Sequence, residues 1–184
     1  MLPSAEAVVV LLQALAVPVV LALFYLDGMV IGKVTPPAAL YVAYVAFVDP
    51  GSGTLLAVAA LSTVAATLGQ FTLYRGFNEE SPEFLGLRRR LPYVDRIPFV
   101  VRDRVGEGRM RLVERLFDRF GGVALAVTNA IPGIRSLMSV PAGLSKYPVR
   151  RFLVLSTVGN AIYLVALTAI ARGLVDLAVA LPWP

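Results

Sequence analysis

Long stretches without a charge constrain this chain more than any other feature. Between Asp49 and Arg75 there are 25 uncharged residues, and between Arg151 and Arg172 there are 20. Residues 7–26 form a third such run, with Gln13 as its one strongly polar side chain. A helix crosses the roughly 30 Å hydrocarbon core with about 20 mostly apolar residues, so all three runs are candidate spans. The composition agrees: 58% hydrophobic against 16% charged residues lies outside the range of soluble domains. The first run lacks the basic leader and the small-residue cleavage site of a typical cleavable signal, so it is expected to remain as a helix, bent at Pro18.

Two further apolar stretches are too short to cross. Lys33 and Asp49 enclose 15 uncharged residues, as do Arg119 and Arg135. At 1.5 Å per residue such a helix reaches only about 22 Å. Each is also interrupted, the first by Pro36 and Pro37 and the second by Pro132 and Gly133, with Pro141 and Gly143 beyond. Proline removes a backbone donor and clashes with the preceding turn. Residues 28–48 and 121–146 therefore read as re-entrant helical hairpins. Broken backbone at membrane depth is tolerated only inside protein or beside a water-filled cavity, so two hairpins imply a cavity between them. The order hairpin then span occurs twice, a pattern found in transporters built from repeats. Two shallow interfacial helices are the alternative.

From Arg75 to Arg119 the chain holds eleven arginines and eight acids. Met110, Val113, Phe117 and Phe120 recur there at helical spacing, which predicts an amphipathic helix in the headgroup plane, within a segment spanning 81–120. The density of acids argues against nucleic acid as a partner. A solvated linker is the rival reading. The positive-inside rule puts this segment in the cytoplasm, with Arg150 and Arg151 at the inner end of the last span. If the first hairpin opens outward, the N-terminus is cytoplasmic too. The chain has neither cysteine nor histidine, so disulfides, thiolate and histidine metal sites, and histidine-dependent hydrolases fall away. No cofactor and no enzymatic activity are expected.

Arg135 is the residue most in need of explanation. A charge between two apolar half-helices is costly and calls for a partner or an anionic ligand. Its planar fork can hold a phosphate bidentately, and free N–H groups of a broken helix near Gly133 would favour the same anion. An arginine snorkelling from the hairpin mouth is the competing reading. Asp27 could pair with Arg135 or exchange a proton, or lie inert at the interface. Asp49 reads as a turn or N-cap before the next helix. Gln70 and Asn160, mid-helix polar residues, could hold helices together or touch a substrate. Asp176 reads as interfacial, in a short amphipathic tail.

Ile131, Pro132, Gly133, Ile134, Arg135 and Ser136, followed by Ser139, Val140, Pro141, Ala142, Gly143 and Leu144, resemble the C-terminal signature of the DedA family, also called the VTT or SNARE-associated family. Phe117 to Gly122 ahead of the motif, and Phe152, Thr157 and Gly159 after it, fit the same pattern. The resemblance covers roughly residues 20–172. It implies two opposed re-entrant hairpins and movement of lipids between leaflets, including polyprenyl phosphates such as undecaprenyl phosphate, often driven by proton-motive force. It gives Arg135 the role of the motif arginine and Asp27 that of the first acidic residue. Two departures stand out. Asn129 occupies a place where many members have arginine, and Pro36 and Pro37 are not followed by the usual second acid.

The expected protein is an all-α integral membrane domain over 1–184. It has spans at 6–26, 52–75 and 149–172, hairpins at 28–48 and 121–146, and the cytoplasmic amphipathic segment. The expected function is flipping or scrambling of an anionic lipid, a polyprenyl phosphate of undecaprenyl or dolichyl type, in the plasma membrane. Arg135, Asp27, Asn129, Pro132, Gly133 and Gly143 form the expected binding site. Membrane lipids are the expected partners, with polyprenyl phosphate or phospholipid headgroups as ligands, and a homodimer stays open. A proton-coupled ion or small-molecule transporter and a membrane scaffold are the alternatives.

Overall fold

A computed structural model of the chain describes residues 5–29, 37–78, 107–132 and 134–180, and they are helical with turns between. In order the helices are α1 (Ala5–Gly28), α2 (Pro37–Val48), α3 (Ser52–Phe77), α4 (Glu107–Phe120), α5 (Gly122–Asn129), α6 (Ser139–Leu144) and α7 (Val149–Ala180). Two of them are long and apolar enough to cross a membrane: Ser52–Phe77, with mean hydropathy 1.6, and Val149–Leu174, with 1.9. Their outward faces carry Leu56, Leu61, Val64 and Leu68 on α3 and Val154, Ile162, Val165 and Ile170 on α7, all exposed. A soluble protein would hide such faces, whereas lipid accommodates them. The tail expected to be separate from the last span is continuous with it, and Asp176 is exposed on the same helix.

The long helices run antiparallel. Asn160 meets Thr67 and Gln70 midway, while Arg172 reaches Asp49 and the Pro50 carbonyl at one end. Two short helix pairs fill the remaining space from opposite ends. Gly28 at the end of α1 lies against Ala66, Gly69 and Gln70 of α3. The following helix α2 returns along the second half of α7, with the Tyr41 hydroxyl 2.8 Å from that of Thr168. All the buried apolar side chains of α1, Val20 and Phe24 among the described residues, join Tyr41, Tyr44, Val45, Leu55, Val58 and Leu167 in one cluster. Helix α1 covers the helix expected over 6–26, and α2 falls within the stretch expected at 28–48, of which residues 30–36 lie outside the described residues.

At the other end, α5 and α6 form the second broken pair. Ala124, Leu125, Leu137, Met138 and Ala142 pack with Tyr74 of α3 and Phe152 of α7, whose rings stack at 4.5 Å. Helix α4 is amphipathic as expected and rests on this cluster through Leu116 and Phe117, with Phe117 edge-on to Tyr147. Arg115, Asp118, Arg119 and Phe120 stay exposed. The rest of the segment expected at 81–120, up to residue 106, lies outside the described residues.

Small residues allow the closest approaches. A Cβ on Gly69 would collide with the Tyr25 carbonyl oxygen and stand 3.0 Å from the Gly28 Cα. In lipid, helices associate through such packing and through polar contacts rather than through the hydrophobic effect. Gly69→Val is expected to destabilise the fold by about 1–3 kcal/mol through overpacking. Gly53→Val, at a position with nothing within 4 Å of the new Cβ, is expected to leave stability unchanged. Thermal unfolding of the detergent-purified variants checks both.

Candidate functional site

The two helix pairs meet at a buried polar layer halfway along α3 and α7. On α3 the polar side chains Thr63, Thr67 and Gln70 recur at helical spacing on one buried face. The Gln70 amide stands at the centre. Its nitrogen donates to Asn129 Oδ1 at 3.1 Å, and its oxygen accepts from Asn129 Nδ2 at 3.3 Å and from Asn160 Nδ2 at 3.0 Å. Asn160 also donates to Thr67 Oγ1 at 3.0 Å. The Ser136 backbone N–H donates to Asn129 Oδ1 at 3.2 Å, which fixes the turn after α5. Ser136 itself adopts φ 67°, a left-handed conformation unusual for a residue with a side chain.

Arg135 extends from this turn into the space beside α1 and α7. Its side chain is 6% exposed. Nε lies 3.1 Å from Asp27 Oδ2, but outside hydrogen-bond geometry, so the contact is one of charge. Nη1 and Nη2 are buried and find no hydrogen-bond acceptor among the described residues. The guanidinium carbon lies 4.2 Å from the Tyr163 ring centroid and 5.5 Å from that of Phe24. Phe24 and Asp27 are three residues apart on α1, and so present to one face. The arrangement is a buried guanidinium with one carboxylate beside it and, among the described residues, no hydrogen bond from any of its three nitrogens.

The expected site residues separate into two sets. Asp27 and Arg135 come together. Asn129 is turned instead into the amide network, with both ends of its side chain bonded to Gln70, and is 1% exposed. It supports the turn that carries Arg135 and gives nothing to the guanidinium. Gly143 sits at the far end of α3, where an added Cβ would be 2.6 Å from the Tyr74 carbonyl oxygen. Its reason is helix packing. Pro132 is exposed at the turn, and Gly133 lies outside the described residues. The free backbone N–H groups expected near Gly133 fall at a position outside the described residues. Further along the turn, the amides of Arg135, Ser136, Leu137 and Ser139 are bonded, to Ile131, Asn129, Ile134 with Arg135, and Ser136 respectively.

Of the two readings of Asp49, the structure takes the turn: it joins α2 to α3 with φ 43°, the N-cap of α3 is Gly51, and the Asp49 carboxylate pairs with Arg172. Gln70 and Asn160, open between glue and substrate contact in the sequence, bond to each other and to neighbouring helices. The two rings at Arg135 were missed. Tyr163 lies three residues after Asn160, one turn along the same face of α7, and that spacing was the available signal.

Removing one member of a buried ion pair leaves an uncompensated charge. Asp27→Leu is expected to cost about 3–5 kcal/mol, and adding Arg135→Met is expected to recover most of it. Melting temperatures of the two variants beside the parent protein check this.

A family model, the VTT domain, matches residues 35–172. Among curated proteins, the chain is 33% identical over 122 residues to an "Alkaline phosphatase-like protein" of Lactococcus lactis subsp. cremoris (strain MG1363), covering 62% of this chain and 51% of that one. It is 32% identical, with the same coverage, to the protein of that name in Lactococcus lactis subsp. lactis (strain IL1403). The chain thus spans about half the length of the curated relatives it matches. No solved structure matches. The motif around Arg135 and the two long apolar helices lie within the matched residues, and this chain belongs to the VTT-domain, or DedA, family of membrane proteins.

Proposed function

We propose that the protein carries an anionic lipid between the leaflets of the plasma membrane, with a polyprenyl phosphate of undecaprenyl or dolichyl type as the cargo. Helices α3 and α7 cross the bilayer in this reading. The pairs α1–α2 and α5–α6 enter from opposite sides as re-entrant hairpins. The cytoplasmic side is the one carrying α4, Lys146, Arg150 and Arg151, by the excess of basic residues at that end.

The observation that carries the proposal is the state of Arg135. A guanidinium 6% exposed, with two buried donor nitrogens unused among the described residues, suits an oxyanion that can accept from both at once. The phosphate would take the Nη edge while the prenyl or acyl chains remain in lipid beside the apolar outer faces. Asp27 would balance the arginine when no lipid is bound and give way when one is. The name shared by the two curated relatives raises phosphate-ester hydrolysis as another use of the same cation. Nothing among the described residues forms a group of three or more acidic metal ligands. The arrangement at Arg135 supports binding rather than bond cleavage, because no nucleophile–base pair is bonded there.

Arg135→Ala is expected to abolish flipping of fluorescent polyprenyl phosphate in proteoliposomes, with yield and gel-filtration profile preserved. Arg135→Lys, which keeps the charge but loses the planar fork, is expected to retain only a small fraction of the rate. Full activity in Arg135→Ala rejects the assignment.

A further inference from the structure

The rings against Arg135 are not accounted for by lipid binding as such. We propose that Tyr163, aided by Phe24, is a positioning residue whose ring face stabilises the Arg135 guanidinium while Asp27 and the anionic headgroup exchange. This inference rests on the reading of Arg135 as the headgroup site.

Three observations carry it. The ring–cation distances of 4.2 and 5.5 Å fall within the roughly 6 Å range of cation–π attraction. The other contacts of this kind among the described residues, Arg75 on Phe71 and Arg119 on Phe120, join close neighbours along one helix. At Arg135 the contacts join three separate segments: the turn after α5, α7 and α1. Moreover, Phe24 is braced independently of Arg135. It meets Tyr41 edge-on at 6.1 Å, and the Tyr41 hydroxyl bonds that of Thr168 on α7, the helix that carries Tyr163.

The need for such support follows from charge. One cation faces one carboxylate at 3.1 Å. An incoming phosphate that met both would leave two anionic groups around a single guanidinium, so the carboxylate contact must weaken as the headgroup arrives. During that exchange the guanidinium is neither fully paired nor hydrated, and such a buried cation is unfavourable. An aromatic face offers negative potential to the cation without bringing a second carboxylate oxygen to compete with the phosphate for its donors. A carboxylate at the same place would hold the arginine more tightly and release it more slowly.

The test varies the ring's electrostatics at nearly constant size. Tyr163 is replaced by Phe and then, by nonsense suppression, by mono-, di- and trifluorophenylalanine, in chains with Arg135 and with Arg135→Met. With Arg135 present, melting temperature is expected to fall stepwise with fluorination, by about 2–4 °C in all. In the Arg135→Met background it is expected to stay level. Taking Tyr163→Phe as the reference, the initial rate of fluorescent polyprenyl phosphate flipping is expected to fall progressively with fluorination, to about one tenth of that reference in the trifluoro variant. A melting series that is flat, or that falls equally in both backgrounds, overturns the ring–cation contact. A stepwise melting series with an unchanged flipping rate overturns the positioning role. A parent protein that moves no polyprenyl phosphate, yet shows the stepwise melting series only with Arg135, rejects the transport reading and upholds the ring support of the arginine.

Discussion

Halfway along α3, the amide of Gln70 bonds side chains from segments far apart in the sequence: Asn129 at the end of α5 and Asn160 in the middle of α7. Surrounded by lipid, helices gain little from further burial of apolar surface, and polar contacts with close packing hold them together. An amide left without partners at this depth would cost several kcal/mol. The network therefore fixes the axial register of α3 against α7. Through Asn129 and the Ser136 N–H it also fixes the turn from which Arg135 projects. Structure and site share this one constraint, because the residues that satisfy each other in the amide layer are those that aim the arginine beside it.

That coupling explains how much could be read in advance. The uncharged runs at 52–75 and 149–172 became the two long helices α3 and α7, since length and apolarity alone specify a helix in a bilayer. The break at Pro132 falls just after α5, which ends at Asn129, whereas Pro141 sits in the first turn of α6, where a missing backbone N–H removes no helical hydrogen bond. The Asp27–Arg135 pair was also legible, as opposite charges with no other compensation in apolar surroundings. What escaped depends on side-chain direction in the assembled fold. The resemblance put Asn129 at the place of a basic residue and so suggested ligand contact, but its amide matches Gln70 across the helix interface. Gly143 belongs to the same motif as Arg135, yet six residues of helix carry it to the far end of α3. Nothing in the spacing of Asp49 and Arg172, more than a hundred residues apart, foretold that they would pair.

The site is also defined by how little it contains. A histidine-free chain places at its centre a guanidinium with, among the described residues, one carboxylate and two rings beside it. Under the proposed function such a set would exchange two negative partners on one positive group, while the apolar outer faces of α3 and α7 would leave the long tail of an amphiphile in lipid.

The glycine contacts have a mechanical consequence. Gly28 and Gly69 bring α1 against α3 nearly backbone to backbone, Gly143 does the same for α6 at the end of α3, and Gly159 sets α7 against Ala126 and Asn129 of α5. Backbones seated this closely cannot slide or roll without collision, so the helices act as stiff staves pinned along their lengths. Freedom is then left to the side chain of Arg135, on a turn that the Asn129 bond holds in place. A machine built this way would work with a nearly motionless frame and a small moving part, and the energy for each cycle would be spent on a few torsions instead of on rocking whole domains.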